Sequence, residues 1–315
     1  AATSRHYRRA YMTRQDRLHL KNGLLFAGPW ILGFCVFTFA PILASFYYSL
    51  CSYNVVREPI WIGLENYRTL LFEDPHFLKT LYNTLYMMVF GVPLSLALAF
   101  CLAALLNTDV KFLSFFRTVF YLPSVVPVVA VSILWVWILN PEYGCINALL
   151  ASLGIQGPGW LTDPRWSKPA LILTNLWGVG NIMIIFLAGL QQVPPNLYEA
   201  AVVDGANRLQ RLWNITLPCV SPVIFFNLIM GVIASFQYFT QVYIMTTGIS
   251  PEYGGRAGGP EGSTLVYALY LYQNAFQHFK MGYASAMAWI LFLLSVAVIY
   301  VILKTSGWVH YAEEQ

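Results

Sequence analysis

Charge is scarce in this chain: 10% of its 315 residues are Asp, Glu, Lys or Arg, against 58% hydrophobic. So few charges cannot cover the surface of a soluble domain of this size, so that class is excluded. No Gly-x-x-x-x-Gly-Lys-Ser/Thr loop is present, nor any Gly-Lys dipeptide, so the chain cannot cradle nucleotide phosphates by that route. There is no Gly-x-Ser-x-Gly elbow, and carboxylates in the predicted non-cytoplasmic loops are few and unpaired. The five cysteines, Cys35, Cys51, Cys101, Cys145 and Cys219, lack metal-ligand or paired spacing and read as small apolar fillers. His6, His19, His76, His278 and His310 are equally dispersed, with no His-x-x-x-His pair, so no metal chemistry is expected.

What is present is long apolar sequence. A helix crossing the roughly 30 Å hydrocarbon layer needs about 20 mainly apolar residues. Six stretches qualify: 24–50, 81–106, 112–139, 170–190, 220–245 and 281–303. Their runs are continuous rather than alternating, which predicts helices and not barrel strands. The expected fold class is therefore all-α and polytopic, with six transmembrane helices. One membrane domain would occupy 24–305, between a tail at 1–23 and another at 306–315. The first stretch exceeds a signal-peptide core of about 7–15 residues and reads as a retained span.

Orientation follows from Lys and Arg in short loops. With six spans both ends share a side, and that side carries eleven cations, including Arg5, Arg8, Arg9, Lys111, Arg117, Arg208 and Arg211, against seven on the other. Both termini and the 191–219 loop are thus expected in the cytoplasm. The net charge of +4 needs no nucleic-acid partner to explain it.

That cytoplasmic loop, 194–218, is the most specific segment. Pro194 and Pro195 end the fourth span, and Asn196 with Glu199 three residues later has capping-box spacing, predicting a helix from Leu197. Leu197, Ala200 and Ala201 leave a low apolar ridge, and Asp204-Gly205 supplies a turn. A second helix near 207–216 is expected to bring Arg208 and Arg211 to the membrane surface. Glu199-Ala200-Ala201, three residues, Gly205, nine residues, then Ile215-Thr216-Leu217-Pro218 resembles the signature loop by which permease subunits of bacterial ATP-binding-cassette importers grip their ATPases. Gly63-Leu64-Glu65-Asn66-Tyr67, Phe116-Arg117-Thr118 with Tyr121-Leu122-Pro123, and Tyr283-Ala284-Ser285-Ala286 extend the resemblance over about residues 20–305. The pattern is most similar to the first permease of the maltose and glycerol-3-phosphate type. A longer stretch at 248–258 departs from it.

The resemblance implies a type I importer permease fold and a subunit that translocates a carbohydrate without being an enzyme. It implies coupling to the ATPase through Leu197, Glu199, Ala200, Ala201, Asp204 and Gly205. Implied partners are a second homologous permease, two copies of a cytoplasmic ATP-binding subunit that hold ATP and Mg, and an extracytoplasmic solute-binding protein. No cofactor is expected in this chain itself, and the place is the bacterial inner membrane.

Intramembrane polar residues mark a candidate pathway, since lipid penalises them. Asn175, Trp177, Gly178, Gly180 and Asn181 cluster on span four; Ser235, Phe236, Gln237, Tyr238, Thr240 and Gln241 on span five, with Gln237 and Gln241 one turn apart. Amides beside aromatic rings suit sugar hydroxyls and pyranose faces. The family resemblance lands on Asn175, Trp177, Phe236, Gln237 and Thr240 as sugar contacts. The neutral character of these spans favours an uncharged sugar or polyol. Two other classes stay open: a membrane-embedded enzyme acting on a lipid-linked sugar, and a secondary transporter, against which the lack of mid-membrane charge argues. On span two, Gly91, Ser95, Ala99 and Ala103 form a small-residue stripe for close packing.

Overall fold

The computed structural model describes residues 14–108, 111–247 and 257–309. Residues 1–13 and 310–315 of the two tails, and 248–256 of the long stretch after span five, lie outside the described residues. Helices carry the architecture, because in lipid each backbone polar group must be paired within its own segment. Lys21–Ser49, Phe77–Leu106, Arg208–Phe236 and Met281–Lys304 are each long and apolar enough to cross a membrane (spans one, two, five and six). Spans three and four are bent pairs, Leu113–Val125 with Val128–Ile138 at 96° and Ser167–Trp177 with Gly180–Gln191 at 52°. The described strands are a two-residue antiparallel pair, Cys51–Ser52 with Ile60–Trp61.

The continuous 112–139 helix expected from hydropathy is thus corrected. Pro127 forces its predecessor out of helical geometry, and Val126 is extended at φ −70°, ψ 133°. The 170–190 stretch breaks where Gly178 ends the outer helix and Val179 opens the inner one. Span five was expected to run through 245 but stops at Phe236, and a separate helix, Thr240–Thr247, follows. Pro218 and Pro222 sit inside the long span-five helix.

The segments beyond the three breaks hold 11, 11 and 8 residues, about 12–17 Å of helix at 1.5 Å per residue.

Burial between helices gains little hydrophobic free energy in lipid, so close backbone approach and side-chain packing must hold the bundle. Ala99 and Ala103 of the expected stripe are fully buried among Leu96, Met183, Phe186 and Val220 of spans two, four and five. At Gly180 a Cβ would stand 2.6 Å from the Phe120 carbonyl oxygen and 2.9 Å from Tyr121 Cα, so only glycine lets spans three and four meet there. A second apolar cluster, including Met87, Leu171, Ile172, Val242 and Met245, packs the outer segments together. Span one buries none of its most apolar stretch against the rest of the chain. It is tied to span six by Trp289 Nε1 donating to Ser45 Oγ at 3.0 Å.

Candidate functional site

Where spans four and five meet span two, a cavity of about 220 Å³ opens. Its polar lining is Ser95, Asn175, Asn227, Ser235 and Tyr238. Span two contributes Met87 and Gly91, the two ends of a π-helical turn; such wide turns often mark functional positions. Asn227 is 4% exposed and gives one amide hydrogen to the Val223 carbonyl. The Tyr238 hydroxyl is buried and faces the Asn175 side chain without reaching hydrogen-bond geometry. The lining chemistry is therefore amide, hydroxyl and aromatic. It can exchange hydrogen bonds with a neutral polar solute but holds no acid or base for catalysis among the described residues.

Of the five expected sugar contacts, Asn175 alone lines this cavity. Trp177 stands 40% exposed, its ring edge-on to Trp135 at 6.3 Å. Gln237 is exposed at the end of the long span-five helix, and Thr240 is half-buried at the start of the next. Phe236 departs from expectation: at 2% exposure its ring packs inside the bundle, away from the cavity lining. Gln237 and Gln241 do not share a face, because the break falls between them. Gln241 is buried and donates to Thr174 Oγ1 at 2.6 Å, clamping the outer segments of spans four and five. Asn227 was missed; a lone amide in the apolar run 220–236 is its signal.

The 194–218 loop forms a hairpin. Its first helix, Pro195–Val203, starts before the expected Asn196 cap, and no side chain caps it. Proline's fixed φ and missing N–H suit the first helical position, so Pro195 takes that place. The capping box is on the second helix, where Asn207 Oδ1 accepts from the Gln210 N–H at 2.9 Å and Gln210 Oε1 from the Asn207 N–H at 2.8 Å. Between them Gly205 adopts φ +77°. Its N–H bonds the Val202 carbonyl at 3.0 Å and the Ala206 N–H bonds that of Ala201 at 2.8 Å, the paired closure of a Schellman motif.

Tyr198 turns toward the bundle, its hydroxyl 2.9 Å from Thr216 Oγ1. Glu199, Ala200, Asp204 and Gly205 face outward, Ala201 is half-buried, and Leu197, Val202 and Val203 are 40%, 57% and 87% exposed. The six expected coupling residues thus share one short hairpin, but the most exposed apolar group on it is Val203, which sequence reasoning left out. The hairpin runs straight into span five, whose far end borders the cavity.

On the opposite side of the membrane, Asp74 joins three elements. It accepts from the hydroxyls of Tyr270, at 2.8 Å, and Tyr283, and from the His76 N–H at 2.8 Å. Burial and the bond to Asp74 push the Tyr270 hydroxyl up to about 12.

Residues 91–306 match the sequence profile described as Binding-protein-dependent transport system inner membrane component. Over 305 residues, 96% of this chain and 95% of the relative, the sequence is 43% identical to the probable ABC transporter permease protein YesP of Bacillus subtilis (strain 168). It is 37% identical over 245 residues, 78% of this chain and 76% of the relative, to the sulfoquinovosyl glycerol transport system permease protein SmoG of Agrobacterium fabrum. A chain in the crystal structure of a bacterial ABC transporter involved in the import of the acidic polysaccharide alginate shares the fold. The TM-score is 0.78 at 26% identity, covering 93% of this chain and 98% of that one.

Proposed function

This chain belongs to the family of binding-protein-dependent transport system inner membrane components, and from that premise we propose that it is the permease subunit of an ATP-driven carbohydrate importer. It is a transport subunit and not an enzyme. A solute-binding protein delivers the sugar outside. Inside, two ATPase subunits holding ATP and Mg close on this chain and on a second, related permease. Both termini lie in the cytoplasm.

One observation carries the coupling step: the hairpin with the exposed Val203 is closed rigidly at Gly205 and is continuous with span five, which breaks beside the cavity. A push on the hairpin reaches the cavity wall without an intervening flexible loop. Leu197, Val202 and Val203 supply the apolar contact with the ATPase, and Tyr198 on Thr216 holds the hairpin to the span. Asn175, with Ser235 and Tyr238, offers the hydrogen-bonding surface for sugar hydroxyls. Trp177 and Gln237 reach the solute from the face turned toward the second permease.

Copurification from native membranes in mild detergent tests this reading. The expected result is recovery of a second six-span permease and a nucleotide-binding subunit. A stable, folded chain recovered alone would overturn it and favour the enzyme or secondary-transporter alternatives.

A further inference from the structure

We propose that Lys168 forms a subsite, at the outward mouth of the pathway, for the acid group of an anionic sugar, a carboxylate or sulfonate. The proposal rests on the carbohydrate-importer reading and narrows its substrate class.

Position comes from helical register. Lys168 opens the outer segment of span four, Ser167–Trp177. Asn175, which lines the cavity, lies seven residues on, two turns along the same face and about 10 Å deeper. Span two repeats the pattern: Asn83, Met87 and Gly91 follow at four-residue spacing, and the latter two line the cavity. Lys168 Nζ donates to Asn83 Oδ1 at 3.1 Å. The ammonium therefore sits where the two cavity-lining faces converge toward the outside.

The surroundings are built to hold it. Asn83 is 1% exposed and both its amide hydrogens are used, on the Gly262 and Leu265 carbonyls at 3.0 Å each, which fixes its oxygen toward the lysine. The rings of Tyr82 and Tyr86 lie 4.7 and 5.0 Å from Nζ. An ammonium has three donors, and Asn83 takes one. Among the described residues no carboxylate stands within 4.0 Å of it; the one ion pair is Arg68 with Glu73. Lys79, one turn further out on span two, reaches the Glu261 backbone carbonyl and not a carboxylate.

Among the described residues, neither Lys168 nor Lys79 has a carboxylate counter-ion. A partly desolvated charge lacking its partner is costly, and an incoming anion supplies what is missing through charge-assisted hydrogen bonds. The adjoining Tyr82 ring, 59% exposed, offers a face to the apolar side of a pyranose. The acid group would be recognised at the mouth and the hydroxyls deeper, by the uncharged cavity. This revises the expectation of an uncharged substrate drawn from spans four and five.

The test uses the complete importer in lipid nanodiscs and a panel of uronate disaccharides, each paired with its carboxyl-reduced, neutral counterpart. Equilibrium binding is measured without the solute-binding protein. The expected result is that at least one uronate binds about tenfold tighter than its reduced form, a preference that narrows between about 0.05 and 0.5 M salt. Lys168→Gln should erase that preference, and Lys168→Arg should keep it. Equal binding of each pair to the wild-type complex would overturn the proposal without depending on how any variant folds, as would a preference that survives in a folded Lys168→Gln complex. Binding of neither form in any pair would count against the carbohydrate reading itself.

Discussion

Gly205 and Gly180 both resist substitution in this structure, for different physical reasons. At Gly180 the obstacle is space, since a Cβ would meet the backbone of span three. At Gly205 there is space, with no atom within 4 Å of a built Cβ, but φ is +77°. The left-handed conformation costs a side-chain-bearing residue about 1–2 kcal/mol. Gly205→Ala should therefore weaken the hairpin by roughly that amount without a clash inside the chain. A tryptophan at the same position carries the same backbone cost and adds bulk that only a docked partner would meet. In reconstituted vesicles we expect Gly205→Ala to keep most uptake and Gly205→Trp to lose it while the complex still assembles. Normal uptake by the tryptophan variant would remove the hairpin from the coupling path.

At the scale of elements, the hairpin's rigidity depends on its tie to span five. Tyr198→Phe deletes the hydroxyl bonded to Thr216 and should cost about 1 kcal/mol. Amide exchange across 195–206 should quicken and uptake per ATP hydrolysed should fall; unchanged exchange would mean that apolar packing alone seats the helix. The Asp74 junction makes a pH prediction. Because the folded Tyr270 hydroxyl titrates near 12 rather than 10.0, its contribution is fully present below pH 10 and lost as pH rises toward 12. Melting temperature should drop across that alkaline window, and less steeply in Tyr270→Phe. Caps show why element boundaries were only partly legible. Asn196 with Glu199 and Asn207 with Gln210 have the same spacing, yet only the second pair forms a box, because Pro195 already occupies the first position of the earlier helix. The bend in span three was readable from Pro127. The break after Phe236 has neither Pro nor Gly, and it is this break that separated Gln237 from Gln241.

For the whole molecule, hydropathy located all six crossings, since lipid demands apolar length irrespective of packing detail. It did not show which residues face the cavity: that depends on where spans bend and rotate, so Asn175 and Asn227 line it while Phe236 packs inward. Orientation rests on cation counts, and the cysteines make it measurable. Cys35, Cys101 and Cys219 are exposed but lie within spans one, two and five, and Cys51 is buried. Cys145 is exposed in the loop between spans three and four, which the charge bias places outside. A charged thiol reagent that cannot cross membranes should therefore modify this subunit once in right-side-out vesicles, at Cys145, and not in sealed inside-out vesicles; Cys145→Ser should abolish the signal. The opposite pattern would put the 194–218 hairpin on the outer face, where no ATPase could reach it, and the coupling mechanism would fail with the topology.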